Sequence, residues 1–265
     1  MTDPLRLERS GPVARVTLAR PEVRNAFDAE LIGALTEAFA SLADEPADAL
    51  RAVVLAGDGS VFCAGADVAW LRAAAKMDLD ANEADAGRLA TMLEAIDTCP
   101  VPVVTRVQGA ALGGGMGLCA VSDIVIATAD ATFGFTETRL GILPAVIGPY
   151  ALAKIGESHA RALFLPGTRF DGSHAQVIGL VHEVVPNEAA LNRRVDEVLD
   201  EILAAGPSAV RESKALIRRL RGQPSAQARA LTVAAIARQR TSPEGQEGLA
   251  AFLDKRDPSW RGRPD

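Results

Sequence analysis

Two glycine-containing loops are the segments of this sequence that could carry out chemistry. The first contains Phe62-Cys-Ala-Gly-Ala-Asp67, and the second runs from Gly109 to Gly117 with three consecutive glycines at 113–115. Both follow β-rich runs and precede helical patterns. Glycine lets a backbone approach a ligand closely, and the N–H groups that begin a helix attract negative charge. The second loop could therefore hold an anion or a developing oxyanion, although a tight turn that packs a helix onto a sheet explains the glycines equally well.

Other chemistries have little support from motif spacing. No glycine stands three positions after Gly115, so the GxGxxG fingerprint is absent, and no Gly-Lys-Ser/Thr forms a P-loop. NAD and ATP are therefore disfavoured. The spacing of the cysteines and histidines is not that of metal ligands, and an odd number of cysteines argues against a disulfide framework. The cysteines and histidines are Cys63, Cys99, Cys119, His159, His174 and His182. We expect no metal site, and we expect the cysteines near the loops to be small packing residues.

Strands and helices must position these loops. Short runs rich in β-branched residues at 13–18, 51–56, 103–107 and 124–127 are typical of strands, and helical patterns lie between them. Strands separated by helices indicate parallel βα units with both faces of the sheet covered. From about Ala145 onward helical patterns dominate. The sequence predicts an α/β body over residues 1–190 and a helical C-terminal part over residues 191–265.

Composition and charge limit the class of protein. The chain has 265 residues, with 28 Lys+Arg against 34 Asp+Glu and a net charge of −6. This balance argues against wholesale binding of nucleic acid or anionic membrane. The N-terminus lacks the apolar run of a secretory signal, and the uncharged stretch between Arg106 and Asp123 is too short to span a bilayer comfortably. We expect a soluble cytoplasmic protein whose partners are small molecules or copies of itself.

Four motifs in order resemble the crotonase superfamily, whose founding activity is enoyl-CoA hydratase. They are Arg24-Asn-Ala26, Phe62-Cys-Ala-Gly-Ala-Asp67, Gly109 to Gly117, and Phe133-Gly-Phe-Thr-Glu-Thr-Arg-Leu-Gly141. Each motif is weak alone, but their order and spacing together are strongly specific. The resemblance covers nearly the whole chain. It implies a crotonase-like spiral of ββα units with a helical C-terminal trimerisation region, in which trimers often pair into hexamers.

The resemblance also implies roles for individual residues. The backbone N–H groups of Ala66 and Gly114 would form an oxyanion hole for the carbonyl of an acyl-CoA thioester, and Glu137 would transfer protons. Coenzyme A would be part of the substrate, so no further cofactor is expected. Lys255 would reach the nucleotide end of CoA from a neighbouring subunit. The remaining residues expected to bind substrate are Arg24, Ala26, Ala64, Gly65, Asp67 and Val68.

One position departs from the family pattern. Two-glutamate hydratases of the family carry their second carboxylate where this chain has Gly117. A single carboxylate suits Δ3,Δ2-enoyl-CoA isomerisation. The segment 140–150, however, is similar to a branch that includes methylglutaconyl-type CoA hydratases. The sequence therefore favours hydration of a 2-enoyl-CoA, including branched or carboxylated ones, and leaves open an isomerase and a non-catalytic acyl-CoA-binding protein.

Overall fold

The structure of the chain, a computed structural model, describes residues 3–261 and contains two β-sheets with helices packed around them. The outermost residues of the two predicted parts, 1–2 and 262–265, lie outside the described residues. The strands are β1 (Leu5–Ser10), β2 (Val13–Leu18), β3 (Ala52–Gly57), β4 (Val103–Val107), β5 (Ala110–Leu112), β6 (Ile124–Thr128), β7 (Thr132–Gly134), β8 (Arg169–Asp171) and β9 (Glu183–Val185).

The longer sheet has the strand order β1-β2-β3-β4-β6-β9. The β1–β2 hairpin is antiparallel, and every later pairing in this sheet is parallel. All residues of β3 and β4 are buried, because helices cover both faces of the parallel part. The four strands predicted at 13–18, 51–56, 103–107 and 124–127 are confirmed to within one residue at each end.

A second, shorter sheet has the order β5-β7-β8 and gives the chain a spiral path. The chain passes from β4 in the long sheet to β5 in the short sheet and then enters a helix. It repeats this path when it passes from β6 in the long sheet to β7 in the short sheet. The segment after β3 takes the same path, since Cys63 forms a single parallel bridge with Ala111 of β5. Each repeat therefore brings a loop and the start of a helix to one end of the short sheet.

Ten α-helices fill the spaces between and beyond the strands of the described part. Asp28 caps the first, accepting a hydrogen bond from Leu31 N at 2.9 Å. The apolar residues of this helix face the main core. The helices are α1 (Ala29–Ala43), α2 (Val68–Ala74), α3 (Leu79–Asp97), α4 (Gly114–Val121), α5 (Gly148–Phe164), α6 (Gly172–Val177), α7 (Glu188–Ala204), α8 (Pro207–Leu220), α9 (Ser225–Thr241) and α10 (Pro243–Leu253).

The C-terminal helices divide into one that covers the sheet and three that pack mainly on one another. Leu191, Val195 and Val198 of α7 pack against buried residues of β3, β4 and β6. The predicted boundary at residue 190 falls inside this helix, and the division into two parts remains a prediction. Helices α8, α9 and α10 leave large apolar side chains exposed, namely Ile217, Val233, Ile236, Leu249, Phe252 and Leu253. None of the helices described over residues 3–261 is both long and apolar enough to cross a membrane.

Candidate active site

The first glycine loop is fixed by a short bridge to Phe27. Phe27 N donates to Gly65 O at 2.7 Å, and Asp67 N donates to Phe27 O at 2.8 Å. Because backbone groups alternate in direction along an extended chain, the N–H of Ala66 points away from Phe27. Within residues 3–261 it donates no hydrogen bond. Ala66 therefore offers one free backbone donor.

The second loop offers another free donor at the start of α4. Gly113 has φ 48° and ψ −114°, a conformation that requires glycine, and its N–H donates to Gly134 O of β7 at 3.0 Å. Gly114 is the first residue of α4, so its N–H has no partner within the helix. A β-carbon on Gly114 would lie 2.5 Å from two ring carbons of Phe27. Phe27 therefore adjoins both donors, one through its backbone and the other through its ring.

Glycines also allow the two loops to touch. A β-carbon on Gly65 would lie 3.0 Å from Leu112 O and 3.8 Å from the Cα of Gly113. A β-carbon on Gly115 would lie 2.7 Å from the backbone oxygen of Cys63. Backbone atoms at these distances cannot move aside cheaply. The close contact therefore sets the turns carrying Ala66 and Gly114 beside each other.

The carboxylate of Glu137 lies beside the same contact. Its Oε1 is 3.5 Å from the place that a β-carbon on Gly113 would occupy. Its Oε2 is buried and accepts no hydrogen bond from any described residue. Burial raises the pKa of the Glu137 carboxyl above its usual value, because desolvation disfavours the charged form. Glu137 starts a short 3-10 helix, Glu137–Leu140, which the Thr138 hydroxyl anchors by donating to Phe164 O at 2.8 Å.

Apolar side chains fill the space next to Gly117. A β-carbon there would lie 2.5 Å from Ile147 Cγ2 and 3.4 Å from Leu93 Cδ2. Ile147 and Leu93 are both buried, at 3% and 0% exposure. A glutamate at position 117 would have to start where Ile147 now lies. Sequence reasoning identified the missing carboxylate at Gly117 but not Ile147, which is thirty residues away in the chain and is brought there only by folding.

Three of the residues expected to bind substrate belong to the turn beside the first loop and to the loop itself. Arg24 has a positive φ of 56°, its side chain is exposed, and its carbonyl accepts a hydrogen bond from Ala64 N at 3.0 Å. Ala26 is buried, and its carbonyl accepts from Arg20 Nη1 at 2.6 Å. Asn25 Nδ2 donates to the carbonyls of the next turn, holding the segment in place. These contacts join Arg24, Ala26 and Ala64 to the loop that carries Ala66.

The carboxylate of Asp67 is engaged within the protein. Its Oδ1 accepts from Ala69 N at 2.7 Å and caps α2, and its Oδ2 lies 3.3 Å from Arg20 Nη2. The same guanidinium nitrogen pairs with Asp28 at 2.7 Å. Arg20 thereby ties the start of α1 to the start of α2, on either side of the Phe27–Ala66 bridge. Sequence analysis missed Arg20, for which only its place just before the first motif gives a signal.

Val68 and Lys255 are both exposed on the protein surface. Val68 begins α2 with 62% of its surface exposed. Lys255 follows α10 with φ 54° and an exposed side chain, and among the described residues no hydrogen bond or ion pair joins it to the loops. Its reach into another subunit therefore stays a prediction.

The cysteines beside the loops are packing residues, as predicted. Cys63 and Cys119 are fully buried, and burial raises the pKa of each thiol to about 12. Both are neutral near pH 7 and poor nucleophiles. Within residues 3–261 no group of three His, Cys, Asp or Glu side chains could hold a metal ion. Beside the two loops, the described residues thus offer two backbone donors and the carboxylate of Glu137.

Comparison with known proteins identifies the family. A family model described as enoyl-CoA hydratase/isomerase matches residues 8–263. The chain belongs to this family. Over 94% of its length it is 34% identical to the bovine enoyl-CoA hydratase domain-containing protein 2, mitochondrial, covering 84% of that protein. It is 30% identical to the carnitinyl-CoA dehydratase of Salmonella typhimurium, covering 99% of this chain and 100% of the relative.

Solved structures of the family share the fold. The crystal structure of an enoyl-CoA hydratase from Shewanella pealeana superposes with a TM-score of 0.92 at 36% identity, covering 97% of this chain and 96% of the other. The crotonase-like fold implied by the sequence motifs is therefore confirmed. Family membership also supports an acyl-CoA thioester as the kind of substrate.

Proposed function

We propose that this family member is an enoyl-CoA hydratase, which adds water across the double bond of a 2-enoyl-CoA thioester. The observation that carries the proposal is the carboxylate of Glu137, half-buried and without a partner for Oε2 in the described residues, beside the loops that carry the two free N–H groups. A base and an oxyanion site in one place are what conjugate addition of water to a thioester requires.

The donors of Ala66 and Gly114 would bind the thioester carbonyl oxygen. When water attacks C3, the electrons of the C2–C3 double bond move toward the carbonyl, and its oxygen gains the negative charge of an enolate. Two N–H groups fixed in advance stabilise that charge without reorganising, and Gly114 lies at the positive end of the α4 dipole. Loss of one such donor typically costs about 2.7–4 kcal/mol of barrier stabilisation.

Glu137 would move the proton. As a carboxylate it removes a proton from the attacking water while the C3–O bond forms, and as a carboxylic acid it returns that proton to C2 when the enolate collapses. The proton taken is the proton given, so the carboxyl group ends the cycle as it began. Burial favours this proton transfer. Because the pKa of Glu137 is raised, the free-energy difference between its carboxylate and carboxylic acid forms is smaller near neutral pH.

The same proposal extends to the substrate class, the direction of the reaction, the assembly and the location of the protein. The substrate class is a 2-enoyl-CoA that includes branched or carboxylated, methylglutaconyl-like chains, with the CoA lying along Arg24, Ala64 and Val68. The reverse reaction is loss of water, and the name of the Salmonella relative, a dehydratase, describes that direction for that protein. The exposed apolar side chains of α8–α10 support assembly into trimers or hexamers. The location we propose is the cytoplasm, although the bovine relative is named as mitochondrial.

A second candidate is Δ3,Δ2-enoyl-CoA isomerisation. It is favoured by the apolar filling beside Gly117, where Ile147 and Leu93 occupy the space of a second carboxylate. An isomerase needs one base that takes a proton from C2 and returns it to C4, and it needs no bound water. The same hole and the same Glu137 would serve both reactions, so the product decides between them.

A product-resolved screen of Glu137→Gln tests the proposal. The wild-type protein is incubated with linear, branched and carboxylated 2- and 3-enoyl-CoAs, and products are separated by chromatography. We expect 3-hydroxyacyl-CoA from a 2-enoyl-CoA, and a loss of about 10²–10⁴-fold in kcat for Glu137→Gln with acyl-CoA binding retained. Glu157→Gln is the matched control, because Glu157 is exposed on α5. Near-wild-type turnover by Glu137→Gln, a 2-enoyl product from a 3-enoyl-CoA alone, or binding without turnover would each contradict hydration.

A further inference from the structure

One lysine holds the carboxyl end of α4, the helix whose amino end carries Gly114. Lys154 Nζ of α5 donates to Cys119 O at 2.8 Å and to Ser122 O at 2.5 Å. Cys119 lies in the last turn of α4, and Ser122 ends the helix. Within the described range, 3–261, Lys154 forms no salt bridge with a carboxylate. Its charge is therefore balanced chiefly by backbone carbonyls at the negative end of a helix dipole.

Several ionisable groups surround Lys154, and most are already engaged. Asp123 pairs with Lys214 at 2.6 Å, and Asp97 lies 3.5 Å from Arg218. Burial raises the pKa of Tyr150, raises that of the Cys119 thiol to about 12, and lowers that of His182 below its usual value. Burial also lowers the pKa of Lys154 to about 8. The neighbouring groups come from α3, α4, the turn before β6, α5, the turn before β9 and the end of α8, and they are Asp97, Cys119, Asp123, Tyr150, His182 and Arg221.

The short length of α4 connects this lysine to the oxyanion donor. A helix of 8 residues is about 12 Å long. A cation at its carboxyl end stabilises the aligned peptide dipoles, and the same positive charge attracts an anion at the amino end. Hydrogen bonds at the last turn also limit how far the helix can tilt, and a tilt would move the N–H of Gly114. The position and the electrostatic strength of the donor therefore both depend on the group at the far end of α4.

We propose that Lys154 is a positioning residue for the oxyanion hole, holding α4 so that the N–H of Gly114 faces the enolate, and that its protonated form is the active one. This inference rests on the proposed function, since it assumes that an enolate forms at Gly114. Activity then falls as pH rises through the pKa of Lys154, near 8. The pKa shifts of Tyr150, Cys119 and His182 all lead away from pH 8, so none of these three neighbours explains a loss of activity there.

Stability should respond to pH in the opposite direction, which separates this role from a purely structural one. The pKa of Lys154 in the folded protein, about 8, lies below its unperturbed value of 10.5. Between these values the unfolded chain binds more protons than the folded one, so the contribution of Lys154 to the free energy of unfolding increases with pH. If the alkaline loss of activity came from unfolding caused by deprotonation of Lys154, the free energy of unfolding would have to decrease with pH.

The experiment compares wild-type protein with Lys154→Met, Lys154→Arg and the control Arg161→Met, an exposed residue of α5 beyond the break in the helix at Gly156. Bound acetoacetyl-CoA reports the enolate directly by its near-ultraviolet absorbance, and butyryl-CoA affinity reports binding without an enolate. At pH 7 we expect Lys154→Met to reduce the enolate fraction and kcat by about 3- to 10-fold, with butyryl-CoA affinity unchanged. The kcat of the wild type should fall as the pH rises through about 8, and neither Lys154→Met nor Lys154→Arg should show that fall.

Two results would overturn the inference. One is an unchanged enolate fraction in Lys154→Met at pH 7, and the other is an alkaline limb near pH 8 that persists in that variant. If Lys154→Arg fails to fold, the wild-type and Lys154→Met profiles decide alone. A wild-type protein that binds the enolate but hydrates no enoyl-CoA would refute the proposed function and leave the enolate comparison as the test of Lys154. A wild-type protein that forms no enolate would refute both.

Discussion

Replacing Gly114 by alanine perturbs the proposed oxyanion hole at one defined contact. The new β-carbon would lie 2.5 Å from Cδ2 and Cε2 of the Phe27 ring, which is 1% exposed and cannot swing into solvent. Ring and helix must therefore separate. Because the backbone of Phe27 is bonded on both sides of Ala66, a shift of Phe27 disturbs the second donor as well.

The change in the free energy of unfolding for Gly114→Ala is the difference between two opposing effects. Overpacking of this kind costs about 1–3 kcal/mol, while alanine in place of glycine gains about 0.4–1 kcal/mol by lowering the entropy of the unfolded chain. The net loss in the free energy of unfolding is about 0–3 kcal/mol. The barrier should rise by about 2.7–4 kcal/mol, the cost of one lost oxyanion donor, which lowers kcat by about 10²–10³-fold.

Gly87→Ala is the matched control. Gly87 lies inside α3, is exposed, and has no atom within 4 Å of its β-carbon position. It should gain about 1 kcal/mol in stability by urea denaturation and keep its wild-type kcat and KM on the best 2-enoyl-CoA of the screen. If Gly114→Ala behaves like Gly87→Ala in both assays, the ring of Phe27 does not confine the hole and the reasoning is refuted.

Three further predictions test other parts of the molecule. The pKa of Glu137 is raised in the folded protein, so its negative charge lowers the free energy of unfolding at pH values above its unperturbed pKa of 4.5. Glu137→Gln should therefore raise Tm at pH 7 and lose that advantage below pH 4.5. No gain in Tm at pH 7 would contradict the burial of this carboxylate without a partner. Gly117→Ala should be coupled to Ile147→Ala by about 0.5–3 kcal/mol in a double-mutant cycle of urea denaturation, and additivity would show that the two positions do not touch. Phe252→Asp, at a side chain 81% exposed on α10, should lower the mass measured by light scattering toward that of one chain, and an unchanged trimer or hexamer mass would place the subunit interface elsewhere.

Much of the fold follows from local sequence patterns. The strands at 13–18 and 103–107 are runs of β-branched residues, and such runs favour extended chain wherever both faces are buried. Helices α8 and α10 begin at Pro207 and Pro243, because proline fits the first turn of a helix. Helix α3 begins at Leu79, in a weakly apolar stretch, because the side chain of Asp78 caps it. Capping by one side chain is a weak signal among many aspartates.

The sequence by itself determined the chemical elements of the site. These are the glycines at 113–115, the loop ending in Asp67 and the glutamate at 137, and they can be recognised without a structure because each lies in one short segment of the chain. Only the tertiary structure decided what surrounds them. Phe27 adjoins both donors, Ile147 fills the space beside Gly117, and Lys154 holds the far end of α4. These contacts join residues 30–90 positions apart, where packing of separate helices and strands, and no local periodicity, selects the neighbour.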